Sequence, residues 1–240
     1  VGDDAAIALK RRLTPSAERR FAHGPLAAIG LVLLCLAVYV PGALSLPVVD
    51  RDEARFAQAS RQMFEAVALP EADRSPDLHD GGLVMPKLGD EPRLNKPPLI
   101  YWLQAASAAA LTLGQPTADA IWMYRVPSLA AAVITVLATW RLGLRFFDPR
   151  VALLAAAMLA LCPLMAWEAR QARADMVLVA CTTLALAGIA RVGRPRRGEG
   201  DTPPLAAAIG LWTAVAAGVL VKGPITPMIA ALAALAACIA

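Results

Sequence analysis

Residues 26–46 read LAAIGLVLLCLAVYVPGALSL, an apolar run without a charged side chain. A helix needs roughly 20 mostly apolar residues to cross the hydrocarbon core of a membrane, so this run predicts a transmembrane helix. Basic side chains precede the run, and basic residues collect in cytoplasmic segments. Residues 1–25 are therefore expected to form a cytoplasmic N-terminal segment, whose basic residues are Lys10, Arg11, Arg12, Arg19 and Arg20.

The composition of the whole chain agrees with a membrane protein. Hydrophobic residues make up 58% of the chain and charged residues only 18%, whereas soluble domains have roughly 45–50% and about 25%. So little polar surface excludes a soluble domain, a disordered tail and a collagen-like chain. The net charge of +4 is not gathered into a patch with aromatic residues, so nucleic acid is not an expected partner. The four cysteines lie in apolar stretches and are read as packing residues.

Further apolar segments predict an all-α, polytopic transmembrane bundle. The second to fifth predicted spans are Ile121–Leu142, Val151–Trp167, Met176–Ala190 and Pro204–Val221. A sixth span is expected to begin at Pro224. The stretch Leu99–Leu113 has only about 15 residues, so it predicts a juxtamembrane helix with Tyr101 and Trp102 at the headgroup level. The arginine-rich loops 141–150 and 191–201 both face the cytoplasm only if this stretch does not cross the membrane.

This topology places the long loop 47–120 on the outer face of one transmembrane domain, residues 26–240, which we expect to be part of a longer protein. Within the loop, the residues after Asp50 predict an amphipathic helix that extends to about residue 67, with Phe56, Ser60, Met63 and Val67 on one face. The polar insert 71–82 contains a single histidine, His79, which is read as solvated surface rather than a metal ligand.

Charged side chains gather in the loops predicted on the outer face. Asp52 and Arg55 are three residues apart and therefore neighbours on a helix surface. Charged groups near the hydrocarbon edge pair with each other or line a polar cavity. In such a cavity, cations hold the phosphate of a lipid-linked donor and a carboxylate accepts the proton of an attacking hydroxyl.

Three motifs resemble the N-terminal half of C-type membrane glycosyltransferases: residues 50–57 (DRDEARFA), 61–63 (RQM) and 95–102 (NKPPLIYW). The nearest members of that group are the dolichyl-phosphate-mannose protein mannosyltransferase-like enzymes and the bacterial lipid A aminoarabinose transferases. The resemblance implies an integral protein of the bacterial inner membrane with a periplasmic active site. It also implies a polyprenyl-phosphate sugar donor, a lipid, glycan or protein acceptor, and contact with membrane lipids.

The same resemblance implies roles for six residues. The expected catalytic residues are Asp52, Glu53 and Asp175, and the expected ligands of the donor phosphate are Arg55, Lys96 and Lys222. No metal ligand is assigned, although a divalent metal stays open as a cofactor. The aminoarabinose transferases have a glutamate immediately before the lysine where this chain has Asn95, which argues against a metal site of that type.

Other interpretations of these residues stay open at this stage. Asp52, Glu53 and Asp175 sit where a helix N-terminus favours an acidic residue, and Lys222 sits where a lysine anchors a helix at the membrane edge. The alternative functions are aminoarabinose transfer to lipid A and half of a membrane transporter. In a transporter, Asp52, Asp175 and Lys222 would form a substrate or ion relay.

Overall fold

The computed structural model describes residues 22, 24–69, 83–89, 91–193 and 205–239, which form a bundle of α-helices and one small hairpin. The helices are α1 (Pro25–Ser45), α2 (Arg51–Ala68), α3 (Leu99–Leu111), α4 (Ile121–Phe146), α5 (Pro149–Leu161), α6 (Pro163–Ala169), α7 (Asp175–Gly193), α8 (Leu205–Lys222) and α9 (Ile225–Ile239). The hairpin pairs β1 (Lys87–Leu88) with β2 (Glu91–Pro92), and a 3₁₀ turn spans Pro116–Ala118. The expected all-α class is confirmed. The expectations for residues 1–21, for the insert 71–82 with His79 and for residues 194–201 of the second arginine-rich loop fall outside the described residues.

The helices are those of an integral membrane protein. Helices α1, α4, α7 and α8 are each long and apolar enough to span a membrane. Helices α5 and α6 reach that length only together, and their axes are bent by 60°. The bend falls at Pro163, which has no backbone N–H to continue the helix. The segment predicted as one span, Val151–Trp167, is therefore divided into two helices by a bend.

Hydrogen bonds fix the directions of α1 and α4. Arg125, near the start of α4, donates to the carbonyls of Ala43 and Leu46 at the end of α1. At the other end of α4, Trp140 donates to the carbonyl of Ala22, which lies just before α1. The two helices are therefore antiparallel neighbours that extend between the same two ends of the bundle.

Helices α7 and α8 are antiparallel as well, because Asp175 at the start of α7 forms an ion pair with Lys222 at the end of α8. The end of the bundle that holds Asp175 and Lys222 also holds Arg125, and we call it the acidic end. The opposite end holds Arg141 and Arg191, and we call it the arginine end.

Helix α3 does not cross the bundle. Helix α1 ends and helix α4 begins at the acidic end, so the segment between them leaves and re-enters at that end. Ser107, late in α3, donates a hydrogen bond to the carbonyl of Met123, early in α4. With 13 residues, α3 is also too short to span, as its apolar length predicted.

Helices α2 and α3 lie side by side and run parallel. The rings of Phe56 and Tyr101 stack with their centroids 5.5 Å apart. One turn further along both helices, Ser60 donates to Gln104 over 2.7 Å. Because both contacts advance in the same direction, the N-termini of α2 and α3 lie at the same end of this pair.

Two apolar side chains in this region differ from expectation. Val67, expected on one face of α2 with Met63, is 60% exposed, although both residues border the same apolar groove. Tyr101, expected at the membrane interface, is fully buried and its hydroxyl accepts a hydrogen bond from Arg93. Burial raises the pKa of the Tyr101 phenol, although Arg93 acts in the opposite direction.

A buried ion pair between Glu53 and Arg125 joins the elements at the acidic end. Arg125 Nε and Nη2 donate to the two oxygens of Glu53 over 2.7 and 3.1 Å. The other three N–H groups of this guanidinium reach the carbonyls of Ala43, Leu46 and Pro47. All five donors of Arg125 are therefore used, and neither side chain is exposed.

Arg125→Met is expected to lower the free energy of unfolding by about 3–5 kcal/mol, because it leaves the Glu53 carboxylate buried without its partner. Arg61→Met is the matched control, because Arg61 is 43% exposed and pairs with Glu65 at the surface, where an ion pair is worth about 1 kcal/mol or less. The measurement is thermal or denaturant unfolding of the purified protein in detergent. Equal losses for the two variants would contradict this account.

Candidate functional site

Helix α2 begins at the acidic end, and Asp50 caps its N-terminus. Asp50 Oδ1 accepts a hydrogen bond from the backbone N–H of Asp52 over 2.7 Å, which satisfies one of the unpaired donors of the first turn. The cap is thus Asp50, so the Asp52 side chain is left for other contacts. Asp52 is half exposed and lies 3.7 Å from Arg55. An exposed pair of this length is weak, so both groups can bind a ligand.

Glu53 occupies a different environment from its neighbour Asp52. It has no exposed surface, and its Oε1 also accepts the backbone N–H of Ala172 over 2.9 Å, in addition to its two bonds from Arg125. Both carboxylate oxygens are therefore occupied by protein donors. This geometry favours a positioning role for Glu53 over the catalytic role expected from the sequence.

Lys96 lies just before the N-terminus of α3. The helix has Pro98 at its N-cap, and no side chain of the described residues caps its first backbone N–H groups. Within the described part of the chain, no carboxylate forms an ion pair with Lys96. Since α2 and α3 run parallel, Lys96 lies at the same end of this helix pair as Asp52. A lysine beside an uncapped helix N-terminus is suited to binding an anion.

A network of ion pairs centres on Arg173, in the segment between α6 and α7. Its Nη1 lies 3.1 Å from Asp50 Oδ2 and 3.4 Å from Glu168 Oε1, and its Nη2 lies 3.4 Å from Asp175 Oδ2. The other oxygen of Asp175 accepts from Lys222 over 2.5 Å. The structure thus brings together Asp175 and Lys222, two residues expected in the site, and connects them through Arg173 and Asp50 to the start of α2.

Sequence reasoning assigned no role to Arg173 or Gln171. Gln171 is fully buried, yet neither its amide oxygen nor its amide nitrogen has a hydrogen-bond partner among the described residues. A buried amide needs such a partner, so this side chain marks a polar space that water or a ligand would fill. The sequence signal that could have revealed these two residues is the high density of polar side chains in the segment 168–175. Periodicity alone does not tell which of these side chains has which role.

Arg170 does not pair with Glu168, its neighbour two residues earlier in the chain. The Arg170 guanidinium instead reaches α1, where it donates to the carbonyl of Val38 and lies against Gly42. A Cβ at position 42 would lie 2.5 Å from Arg170 Cδ, so only glycine leaves space for this contact. Glu168 pairs with Arg173 instead.

The acidic end therefore offers a half-exposed carboxylate, cations near the N-terminus of α3, and buried polar groups that have no partner among the described residues. Such a set can bind a phosphate and accept a proton. Among the described residues, no group of three or more His, Cys, Asp or Glu side chains is arranged to hold a metal ion.

The fold is similar to two solved structures of ArnT from Cupriavidus metallidurans. With the structure bound to undecaprenyl phosphate, the TM-score is 0.68 and the identity 20%, over 83% of this chain and 33% of that one. With the apo structure, the TM-score is 0.63 and the identity 23%, over 83% and 34%. The chain thus spans about a third of the length of the ArnT chains.

A comparison with curated proteins found no significant match. A family model does match: residues 95–240 fit the model described as dolichyl-phosphate-mannose-protein mannosyltransferase. This match covers more than half of the chain and confirms the resemblance that the sequence motifs indicated. The chain therefore belongs to the dolichyl-phosphate-mannose-protein mannosyltransferase family.

Proposed function

We propose that this chain forms part of a membrane glycosyltransferase that moves a sugar from a polyprenyl-phosphate donor to a hydroxyl of a lipid, glycan or protein acceptor. The observation that carries the proposal is the placement of Asp52, Arg55 and Lys96 at one end of the parallel pair α2 and α3. Family membership and the fold likeness to ArnT bound to undecaprenyl phosphate support it.

In the proposed reaction, the donor phosphate lies beside Lys96 and Arg55 at the N-terminus of α3. The ammonium, the guanidinium and the unbonded N–H groups stabilise the charge that develops on the leaving phosphate. Asp52 accepts the proton of the acceptor hydroxyl as its oxygen attacks the anomeric carbon. The bond from that carbon to the phosphate oxygen breaks, and polyprenyl phosphate leaves with the electron pair.

Asp175 and Lys222 are proposed to complete the phosphate site. Asp175 takes one of the three N–H donors of Lys222 in the structure, so two donors stay available for a phosphate oxygen. Asp175 also meets Arg173, which ties it to Asp50 and hence to the start of α2. We propose that Asp175 orients the ammonium group of Lys222. We also propose that Glu53 positions helix α2 through its ion pair with Arg125.

The proposed location is the bacterial inner membrane, with the acidic end on the periplasmic side. Arginines in and beside the described ends of α4 and α7 support this orientation, because basic residues collect on the cytoplasmic side. A donor embedded in the membrane then reaches the site laterally, at the level where apolar helices end.

Aminoarabinose transfer to lipid A is a second candidate, and the fold likeness to ArnT favours it. It is a narrower form of the same chemistry, and Asn95 is the residue at which this chain departs from those transferases. A transporter is less well supported, because transporters bind their substrates near the bilayer midplane, whereas Asp52, Asp175 and Lys222 lie at helix ends.

Asp52→Asn is expected to lower the rate of sugar transfer about 10²–10⁴-fold, because an amide does not accept the proton, with donor binding almost unchanged. The measurement is the release of undecaprenyl phosphate from undecaprenyl-phosphate-linked sugars by the intact protein. Glu91→Gln, an exposed acid on β2, serves as the control and should leave the rate unchanged. Normal transfer by the Asp52 variant would remove this residue from the mechanism.

Lys96→Gln is expected to weaken binding of undecaprenyl phosphate about tenfold to a hundredfold, since a charge-assisted hydrogen bond contributes roughly 1.5–3 kcal/mol. Equilibrium binding of labelled undecaprenyl phosphate in detergent measures it. Lys87→Gln, which removes a lysine from β1, is the matched control. Similar affinities for both variants would show that Lys96 does not contact the phosphate.

Asp175→Asn and Lys222→Gln are expected to have non-additive effects on donor binding, because the first acts by orienting the second. The double variant should therefore bind about as weakly as Lys222→Gln alone, with a coupling of about 0.5–3 kcal/mol. A double-mutant cycle on the dissociation constant measures this coupling. Strictly additive losses would mean that the two side chains act independently.

A further inference from the structure

A groove of about 790 Å³ opens between α4, α7 and α8 in the half of the bundle near the arginine end. Small residues line much of it, among them Ala206, Gly210 and Ala214. This volume lies within the range of about 300–1,000 Å³ that is usual for ligand pockets. Along α7, Arg191 is 16 residues from Asp175, or about 24 Å at the rise of an α-helix. The groove is therefore separate from the candidate site at the acidic end.

Three arginines line the mouth of this groove, and no acidic side chain is found among its described lining residues. Arg141 and Arg145 come from the last turns of α4, and Arg191 comes from the last turn of α7. Arg141 and Arg191 are exposed. The guanidinium of Arg141 lies 6.0 Å from the ring centroid of the buried Trp140.

The rest of the groove lies among apolar side chains of three membrane-spanning helices. Leu184 and Leu211 line it together with alanines and glycines of α7 and α8. A ligand that fits both parts has an anionic head at the membrane surface and a hydrocarbon tail directed inwards. Basic pockets between transmembrane helices at a cytoplasmic surface bind the head groups of anionic lipids in this way.

We propose that this groove binds one anionic glycerophospholipid of the adjacent leaflet, with its phosphate at Arg141 and Arg191 and an acyl chain along the small residues of α7 and α8. The positive charge of the mouth selects an anionic head over a zwitterionic one. The apolar wall selects a lipid over soluble phosphate. The assignment to the cytoplasmic leaflet rests on the orientation given under the proposed function, whereas the binding itself does not depend on sugar transfer.

The contribution of the arginines at the mouth to lipid affinity is tested by titrating lipid into the intact, delipidated protein in detergent. Native mass spectrometry counts the one-to-one complexes. Each arginine near a lipid head contributes about fivefold in affinity. Arg141→Gln and Arg191→Gln should each weaken phosphatidylglycerol binding about fivefold, and the double variant about 25-fold. Phosphatidylcholine should bind the unaltered protein at least tenfold more weakly than phosphatidylglycerol. Arg150→Gln, a control outside the groove at the same end of the bundle, should leave the affinity unchanged.

The apolar wall is tested by a variant that keeps every charge. A Cβ added at Gly210 meets no atom within 4 Å, so Gly210→Leu should fill the groove without disturbing the helices and should reduce phosphatidylglycerol binding at least tenfold. Gly30→Leu is the matched control, because position 30 in α1 is equally open and lies outside the groove.

Four outcomes would overturn the proposal. They are equal binding of phosphatidylglycerol and phosphatidylcholine, an equal loss in Arg150→Gln, displacement of the lipid by millimolar inorganic phosphate, and preference for undecaprenyl phosphate over phosphatidylglycerol. Since none of these readouts is sugar transfer, a failure here is distinct from a failure of the proposed enzymatic function.

Discussion

The geometry of the acidic end depends on one buried ion pair, Glu53 with Arg125. A guanidinium inside a membrane protein costs several kcal/mol of desolvation unless all its donors are bonded, and here the carboxylate and three backbone carbonyls use all five. The same carboxylate accepts the N–H of Ala172. One pair thus fixes the end of α1, the start of α2, the start of α4 and the segment after α6 relative to each other.

This arrangement divides the charged residues of the acidic end into two groups with different chemistry. Glu53 and Arg125 are fully paired and shielded from solvent, so they set geometry. Asp52, Arg55 and Lys96 remain accessible or weakly paired, so they can change partners when a ligand binds. The network of Arg173, Asp175 and Lys222 is intermediate, because these side chains are partly exposed and each already has a protein partner.

The membrane explains why the polar chemistry collects at the helix ends. In the hydrocarbon core, a charged side chain is expensive and every backbone group must be bonded, so the middle of each described span is rich in alanine, leucine and valine and carries no charged side chain. Small residues permit close helix packing and also line the groove between α4, α7 and α8. The two proposed ligand sites therefore lie at opposite ends of the bundle, and the side chains at each end favour a different ligand.

The sequence alone determined the class of this protein and much of its local structure. Apolar length predicted the spans, because the thickness of the bilayer sets the length of a helix, and periodicity placed Phe56 and Met63 on the buried face of α2. The sequence motifs by themselves indicated the family. Only the tertiary structure decided that Asp50 caps α2, that Glu53 is buried while Asp52 is accessible, that Arg170 enters α1 at Gly42, and that Arg173 links Asp50 with Asp175. Several of these contacts, such as Arg170 with Val38 and Arg173 with Asp50, join residues more than a hundred positions apart. Neither hydropathy nor spacing encodes which distant partner a charged side chain finds.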